Sequence, residues 1–310
     1  MSDKVFQGVI PILATPFHDD ESLDLDSWQR MLEFMVNLGV DGVTVLGVLG
    51  EANRLTDRER EALVASAVKT IDKRVPLIVG ASHSGTLAAK MLARMAQDLG
   101  ADAVMITPAR EAVPNDERIV EFFQGIAGGL AIPIVLQDHP ASSEVHMPVA
   151  LMLRLLREVP RIQCIKEEAV PTAPKIELLR EGIREGIREN AVPILTGLGA
   201  LYAPFDLAAG SAGFNTGFAF PEVLMSLVNA ARAGDWRRVH DVYARFAALM
   251  VFEQQPGVAI RKELLRRRGL LASAHVRHPG AALSRAHSQQ LDTLLEATFP
   301  GTDITQPVSV

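Results

Sequence analysis

Lys166 is the residue whose type and position best fit covalent chemistry. It ends a short apolar segment that begins at Arg161 and is followed by two glutamates. Because a strand alternates its faces, Ile162, Cys164 and Lys166 share one side. If that side faces a barrel interior, desolvation lowers the pKa of the amine, and a neutral amine can form a Schiff base with a carbonyl. A surface lysine just past a strand is the alternative.

The neighbours of Lys166 have simpler interpretations. Glu167 and Glu168 are expected to be supporting or surface charges. Cys164 is the only cysteine, so the sequence excludes an internal disulfide and is typical of a reducing cytoplasm. Its place in a predicted buried strand favours a packing role.

Composition restricts the class of function. The chain has 310 residues, of which 48% are hydrophobic, with a formal net charge of -6. This charge argues against general affinity for nucleic acid or an anionic membrane. No signal-peptide pattern, bilayer-length apolar run, metal-ligand spacing of the CxxC or HExxH type, or phosphate loop is found. We therefore expect a cytoplasmic protein that binds neither nucleic acid nor membrane and holds no metal.

The elements that would position Lys166 alternate between strand and helix. Apolar periodicity and turn residues predict strands at 8–14, 42–46, 75–80, 103–107, 132–137, 162–166, 193–196 and 212–215. Helices are predicted at 26–38, 85–99, 116–127, 148–158, 174–189, 200–208 and 221–233. A further helix is predicted to begin at Thr56, which forms a capping-box pattern with Glu59. Eight such pairs predict an α/β fold, a (β/α)₈ barrel of the TIM type. An open doubly wound sheet is the alternative, but its glycine-rich nucleotide turn is missing.

The remaining residues predict a helical extension. The barrel is expected over residues 1–234, and a C-terminal helical extension packed on it over residues 235–310. Its three helices are predicted at 236–252, 258–268 and 281–297. The last ten residues, 301–310, are expected to be frayed.

Polar and small residues follow the predicted strands, where the active site of such a barrel lies. They favour a catalytic Lys166 over a surface one. The predicted substrate-binding residues are Thr15, Gly47, Val48, Leu49, Gly50, Arg110, His139, Thr196, Asn215 and Thr216, and the predicted catalytic residues are Lys166, Gln137 and His83.

Several of these residues resemble the motifs of one family. The GxxGE pattern at 47–51, Thr15-Pro16-Phe17, and Lys166 with the residues on either side are similar to the dihydrodipicolinate synthase and N-acetylneuraminate lyase family of Schiff-base aldolases. The resemblance implies a barrel with a helical extension, a Schiff-base role for Lys166, and a homo-oligomer, either tetramer or dimer. It also implies catalysis without a metal or organic cofactor.

The chain departs from the family pattern at two places. Gln137 stands where the family usually has a tyrosine, and glutamine forms hydrogen bonds but cannot shuttle a proton. Val48 and Leu49 replace two hydroxyl residues of the GxxGE loop, so only backbone N–H groups there could hold a carboxylate. Gln137-Asp138-His139-Pro140 and His83 most resemble a subgroup that includes L-2-keto-3-deoxyarabonate dehydratase.

These features predict a lyase that acts on a small 2-oxo acid. Dehydration of a 2-keto-3-deoxy sugar acid is favoured, because aldol cleavage commonly uses the missing tyrosine as its relay. His83 and His139 are candidate acid–base groups. Arg110 is expected to bind a substrate carboxylate or hydroxyl, or to pair across subunits. A pyruvate-releasing aldolase, a cyclic imino-acid deaminase and a non-catalytic 2-oxo-acid-binding protein remain alternatives.

Overall fold

Eight parallel strands alternate with helices along the chain. The structure is a computed structural model that describes residues 6–113, 115–186, 192–255 and 257–310. The strands are β1 (Gly8–Pro11), β2 (Val43–Val45), β3 (Leu77–Gly80), β4 (Ala103–Ile106), β5 (Ile134–Asp138), β6 (Ile162–Glu167), β7 (Ile194–Thr196) and β8 (Gly213–Thr216). The helices are α1 (Leu25–Leu38), α2 (Asp57–Ile71), α3 (Thr86–Leu99), α4 (Asp116–Ala127), α5 (Pro140–Ser143), α6 (Val149–Glu158), α7 (Thr172–Arg184), α8 (Ala203–Ala208), α9 (Pro221–Arg232), α10 (Trp236–Glu253), α11 (Ala259–Arg267) and α12 (Arg285–Thr298).

The strands close into a barrel. Each strand from β2 to β8 pairs in parallel with the next, and β8 pairs with β1. Ile12 and Thr44 then form a parallel bridge just beyond β1, and the N–H of Leu13 donates to the carbonyl of Thr44 at 2.9 Å. Closure excludes the open doubly wound sheet and confirms the predicted (β/α)₈ barrel.

Two helix-to-strand junctions, α1 to β2 and α3 to β4, share a glycine that ends the helix and an aspartate two residues later. Gly39 and Gly100 end α1 and α3 in the left-handed region, at φ of 84° and 105°, which favours glycine. The aspartates that follow, Asp41 and Asp102, each accept a backbone N–H of a neighbouring strand, at 2.8 and 2.9 Å. The aspartate therefore connects the start of one strand to the adjacent strand.

Two apolar clusters lie on the two sides of the strands. The larger one fills the space between strands and helices. The smaller one fills the barrel interior and consists of Phe6, Ile10, Ile78, Ala103, Met105, Val135, Cys164 and Leu195. Cys164 is fully buried there, and burial raises the pKa of its thiol, so the predicted packing role is confirmed.

The C-terminal extension is held to the barrel by buried ion pairs. Arg268, just after α11, donates to Glu222 of α9 at 2.6 Å. The backbone N–H of Val308 donates to the same carboxylate at 3.2 Å, and the Arg268 side chain also donates to the carbonyl of Ile304 at 3.0 Å. The prediction that residues 301–310 are frayed is wrong, because these contacts dock the segment against α9.

The predicted boundaries differ from the structure at a few places. The short helix α5 was not predicted, since four residues are too few for a periodic signal. The helix predicted at 174–189 ends at Arg184, and part of that range lies outside the described residues. None of the helices in the described part of the chain combines the length and apolar character needed to span a bilayer.

Candidate active site

Gln137 and Lys166 face the barrel interior near the carboxyl ends of β5 and β6. The two residues are direct partners in the parallel register of these strands. Beneath them on the same face lie Val135 and Cys164 of the interior cluster, as strand alternation requires. Lys166 is 2% exposed and Gln137 is 4% exposed. The interior position of both side chains, predicted from alternation, is therefore confirmed.

Glu168 is the charged partner of Lys166. Its Oε2 lies 2.9 Å from Lys166 Nζ and accepts a hydrogen bond from Gln137 Nε2 at 2.8 Å. Its Oε1 accepts the N–H of Leu198 at 3.2 Å. Of the two roles expected for Glu168, a surface charge is wrong, because the side chain is buried, and a supporting charge agrees with its contacts to Lys166 and Gln137. Extending the alternation two residues beyond Lys166 would have placed Glu168 on the same inner face.

The ionisation of Glu168 reflects opposing influences. Burial raises its pKa, but the Lys166 ammonium, His139 and the hydrogen bond from Gln137 act in the opposite direction. The pKa of Glu168 ends below its ordinary value, so the side chain is a carboxylate at neutral pH. A buried carboxylate this close to an amine can accept its proton.

Strand β7 shapes the site through Gly197 rather than Thr196. A Cβ atom at Gly197 would lie 1.9 Å from Glu168 Oε1, so only glycine leaves room for that carboxylate. Leu195 belongs to the interior cluster, which places the next residue, Thr196, on the outer face. There the Thr196 hydroxyl lies close to Asp206, which accepts the Thr172 hydroxyl at 2.5 Å and whose pKa is raised to about 6 by burial. The structure therefore places the Thr196 side chain on the side away from Lys166, contrary to its predicted place in the substrate site.

His139 lies close to the buried charges. It follows β5 on the same side as Gln137, and its Nδ1 is 2.6 Å from the Ser142 hydroxyl. Burial lowers its pKa, with Glu168 raising it and Lys166 lowering it further. The imidazole is therefore neutral near pH 7 and can act as either a donor or an acceptor of a proton.

His83 and Arg110 lie on the rim. His83 is exposed, and its Nδ1 accepts the N–H of Gly85 at 3.0 Å. Arg110 is also exposed and pairs with Glu144. Both residues line an open cavity of about 390 Å³. Among the described residues, neither makes a hydrogen bond to the Lys166, Gln137 and Glu168 group, so the structure does not bring them together with it.

The GxxGE loop forms a tight turn over residues 47–50. The Thr15 hydroxyl donates to the carbonyl of Gly50 at 2.6 Å, which connects the loop after β1 to this turn. Val48 is 55% exposed. Leu49 packs against Gly217, where a Cβ atom would lie 2.5 Å from Leu49 Cδ1. The two residues that replace the family's hydroxyls thus have different surroundings, and the carboxylate-binding role of the loop stays a prediction.

The glutamate of this motif, Glu51, is turned away from the site. It is buried and forms ion pairs with Lys262 and with Arg54, the latter at 2.6 Å, and it accepts the N–H of Arg277 at 3.1 Å. Lys262 lies over the ring of Phe17, 4.4 Å from the ring centre, and burial lowers its pKa to about 8. Glu51 therefore holds the loop to the C-terminal extension, a contact that the sequence alone did not indicate.

Strand β8 contributes Asn215 and Thr216. Asn215 Oδ1 accepts from the Thr44 hydroxyl at 3.2 Å across the interior, and its Nδ2 is buried without a hydrogen-bond partner. The Thr216 hydroxyl accepts the N–H of Gly199 at 2.7 Å, in the turn after β7. Asn215 thus has an unused donor in the barrel interior, whereas Thr216 supports a turn.

Comparison with known proteins agrees with this geometry. The model of the dihydrodipicolinate synthetase family matches residues 5–298. An L-2-keto-3-deoxyarabonate dehydratase from Azospirillum brasilense is 34% identical over 288 residues, which is 88% of each chain. A 4-hydroxy-tetrahydrodipicolinate synthase from Methanoculleus marisnigri is 31% identical over 94% of this chain and 99% of its own. The crystal structure of dihydrodipicolinate synthase from Rhodopseudomonas palustris has a TM-score of 0.89 at 35% identity, covering 94% of this chain and 97% of its own.

Proposed function

The chain belongs to the dihydrodipicolinate synthetase family, and from that premise we propose that it dehydrates a 2-keto-3-deoxy sugar acid through a Schiff base on Lys166. One observation carries the proposal: the buried Lys166 amine is paired with the Glu168 carboxylate, and Gln137 stands beside them where the family usually has tyrosine. The resemblance to a keto-deoxy acid dehydratase supports the same reaction.

The first stage forms an imine. Lys166 transfers a proton to Glu168 across their 2.9 Å contact and becomes a nucleophile. The neutral amine adds to C2 of the 2-oxo acid. Glu168 then returns its proton to the hydroxyl of the resulting carbinolamine, which departs as water and leaves Glu168 a carboxylate again. The product is a protonated imine that withdraws electrons and acidifies the protons on C3.

The second stage eliminates the hydroxyl on C4. Glu168, as a carboxylate, removes one C3 proton and leaves an enamine. The enamine expels the C4 hydroxyl, which takes the proton that Glu168 removed from C3 and departs as water. His139, a neutral imidazole because burial lowers its pKa, is the nearby candidate to relay that proton from Glu168. Tautomerisation and hydrolysis of the imine then release a semialdehyde with the original number of carbons and restore the Lys166 amine.

Aldol cleavage would require a different proton transfer. It begins with loss of the proton from the C4 hydroxyl, the step that the family tyrosine commonly relays. Tyr243 is bound elsewhere, because its hydroxyl donates to the carbonyl of Leu201 at 2.5 Å. Tyr202 belongs to the turn before α8 and is 37% exposed. Among the described residues, neither tyrosine is a neighbour of Lys166, which supports dehydration over cleavage.

Reductive trapping tests the Schiff base. The protein is incubated with a 2-oxo acid and borohydride, and the adduct is located by mass spectrometry of peptides. We expect the added mass on Lys166 and its loss in Lys166→Arg. Lys69→Arg, at an exposed position of α2, is the matched control and should leave trapping unchanged. Turnover retained by Lys166→Arg would refute the proposal.

Product analysis separates the reactions open to such an imine. A panel of 2-keto-3-deoxy acids should yield a semialdehyde of unchanged carbon number. Pyruvate with an aldehyde would identify an aldolase, and ammonia released from a cyclic imino acid would identify a deaminase. Thermal stabilisation by a 2-oxo acid, without turnover or adduct, would identify a non-catalytic binding protein.

We also propose that the protein assembles as a homo-oligomer, a tetramer or a dimer. Support comes from large apolar side chains that are exposed: Leu87 and Met91, four residues apart and so on one face of α3, and Val113 before α4. Exposed apolar side chains that cluster are typical of protein interfaces. Light scattering of the purified protein measures the mass, and a monomer would contradict this part of the proposal.

A further inference from the structure

A second group of charges lies on the outer face of the same two strands. Asp138 and Glu167 are register partners at the ends of β5 and β6, and both are fully buried. Lys175 of α7 pairs with Asp138, lies 3.7 Å from Glu167 Oε2, and donates to the carbonyl of Met147 at 2.8 Å. Each carboxyl is therefore the sequence neighbour of a residue of the active site: Asp138 follows Gln137, and Glu167 follows Lys166.

The charges of this outer group do not balance without an extra proton. Two carboxylates face one ammonium, and Asp138 Oδ1 and Glu167 Oε2 are buried with no hydrogen-bond partner. A buried polar atom without a partner is costly, and a buried unpaired charge more so. One proton shared between the two carboxyls would neutralise the group and provide the missing hydrogen bond.

The surrounding charges favour such a proton. Burial and the adjacent Asp138 raise the pKa of Glu167 to about 8, while Lys175 and the N–H of Ala169 oppose them and Glu168 raises it further. Burial also raises the pKa of Asp138, which Lys175 opposes most strongly. His146 also lowers the pKa of Asp138. Asp206 is a further carboxyl on this side of the sheet, near Thr196 on the outer face of the neighbouring strand β7.

We propose that Asp138, Glu167 and Lys175 form a proton-sharing clamp that positions the ends of β5 and β6 behind the active site. The clamp rests on the proposed function for its effect on catalysis. The Lys166–Glu168 and Gln137–Glu168 contacts depend on the relative position of these strand ends. Removal of the shared proton leaves an uncompensated buried charge, which forces the carboxyls apart and shifts the inner contacts. A displacement of about 1 Å in an active site can reduce the rate about 100-fold.

The variant Glu167→Gln tests the clamp. Glutamine can still donate a hydrogen bond to Asp138 but cannot lose a proton in this pH range. We expect the infrared carbonyl band of a protonated carboxyl in the wild-type protein near neutral pH and its loss in Glu167→Gln. We also expect the alkaline fall of kcat to move upward by about one pH unit or more, with little change in KM. Glu177→Gln, at an exposed position of α7, is the control and should change neither readout.

Lys175→Met provides a second, independent measurement. The ammonium of Lys175 lowers the pKa of both carboxyls. Its removal should therefore raise the pKa at which the shared proton is lost and move the infrared titration to higher pH. A wild-type protein without the band, or a band that persists in Glu167→Gln, would overturn the clamp. An unchanged alkaline limb in an active Glu167→Gln enzyme would overturn its positioning role. The infrared readout needs no substrate, so a missing Lys166 adduct would refute the proposed function and leave the clamp testable.

Discussion

Lys166 Nζ lies 2.9 Å from Glu168 Oε2, and the two residues are separated by a single position on one face of the chain at the end of β6. The amine is thus paired with a carboxylate that directly follows the same strand. Gln137 of the adjacent strand orients that carboxylate through a hydrogen bond of 2.8 Å. Chemistry at this site is therefore expected to depend on Glu168 nearly as strongly as on Lys166.

Replacing Glu168 by glutamine should stop proton transfer while keeping the size of the side chain. Loss of a positioned acid–base group costs about 100- to 10,000-fold in rate, and we expect kcat to fall within this range. Steady-state kinetics on a 2-keto-3-deoxy acid measures the effect. Glu61→Gln, on the exposed face of α2, should behave as wild type. A Glu168→Gln enzyme with full activity would remove Glu168 from the mechanism.

Replacing Gln137 by tyrosine should direct the reaction toward cleavage. The phenol would stand beside Lys166, where it can relay the proton of the C4 hydroxyl, so the ratio of pyruvate to semialdehyde should rise by about 10-fold or more. Gln137→Phe has nearly the same bulk without the hydroxyl and should show no such rise. Equal product ratios in the two variants would show that the residue does not select the reaction. Chromatography of the products gives the measurement.

Replacing Lys262 by methionine should destabilise the fold. Lys262 is fully buried and pairs with Glu51, so its removal leaves a buried carboxylate without its main cation. Breaking such a pair costs about 3–5 kcal/mol, measurable as a change in the free energy of unfolding in urea. The double variant Lys262→Met with Glu51→Gln removes both charges and should recover part of that loss. A double variant less stable than Lys262→Met would argue against the ion pair as the cause.

The pH dependence of the free energy of unfolding should also reveal the raised pKa of Glu167. Its pKa is raised from 4.5 to about 8 in the folded protein, so the folded state binds more protons than the unfolded state between these values. Stability therefore decreases as pH rises through this window. Glu167→Gln should show a shallower decrease between about pH 5 and pH 8. Thermal unfolding at several pH values gives the comparison, and parallel curves for the two proteins would contradict the assignment.

Catalysis should proceed without a metal ion or organic cofactor. In the proposed reaction, an imine on Lys166 supplies the electron withdrawal that a metal would otherwise provide. Dialysis against a chelator should therefore leave kcat unchanged, and added divalent cations should not raise it. Activity that disappears with the chelator and returns with one metal would contradict this prediction.

The local sequence pattern determined the barrel fold and the position of two residues of the candidate active site. Alternating strands and helices specified the barrel, and strand alternation placed Lys166 and Gln137 on the interior face. These features depend on residues close in sequence, where periodicity and turn chemistry act directly. The same local rule, continued by two residues, would also have placed Glu168 inside.

Contacts between distant residues were decided only by the tertiary structure. Lys262 and Glu51 are far apart in the chain, and their pairing depends on how the C-terminal extension docks on the barrel. The outer position of Thr196 depends on where β7 begins its pairing with β6, because a shift of one residue reverses every side chain of a strand. His83 was predicted near Lys166 from its place after β3, yet its loop leaves it on the exposed rim. Loop direction and docking are set by packing over the whole barrel, which no short segment of sequence encodes.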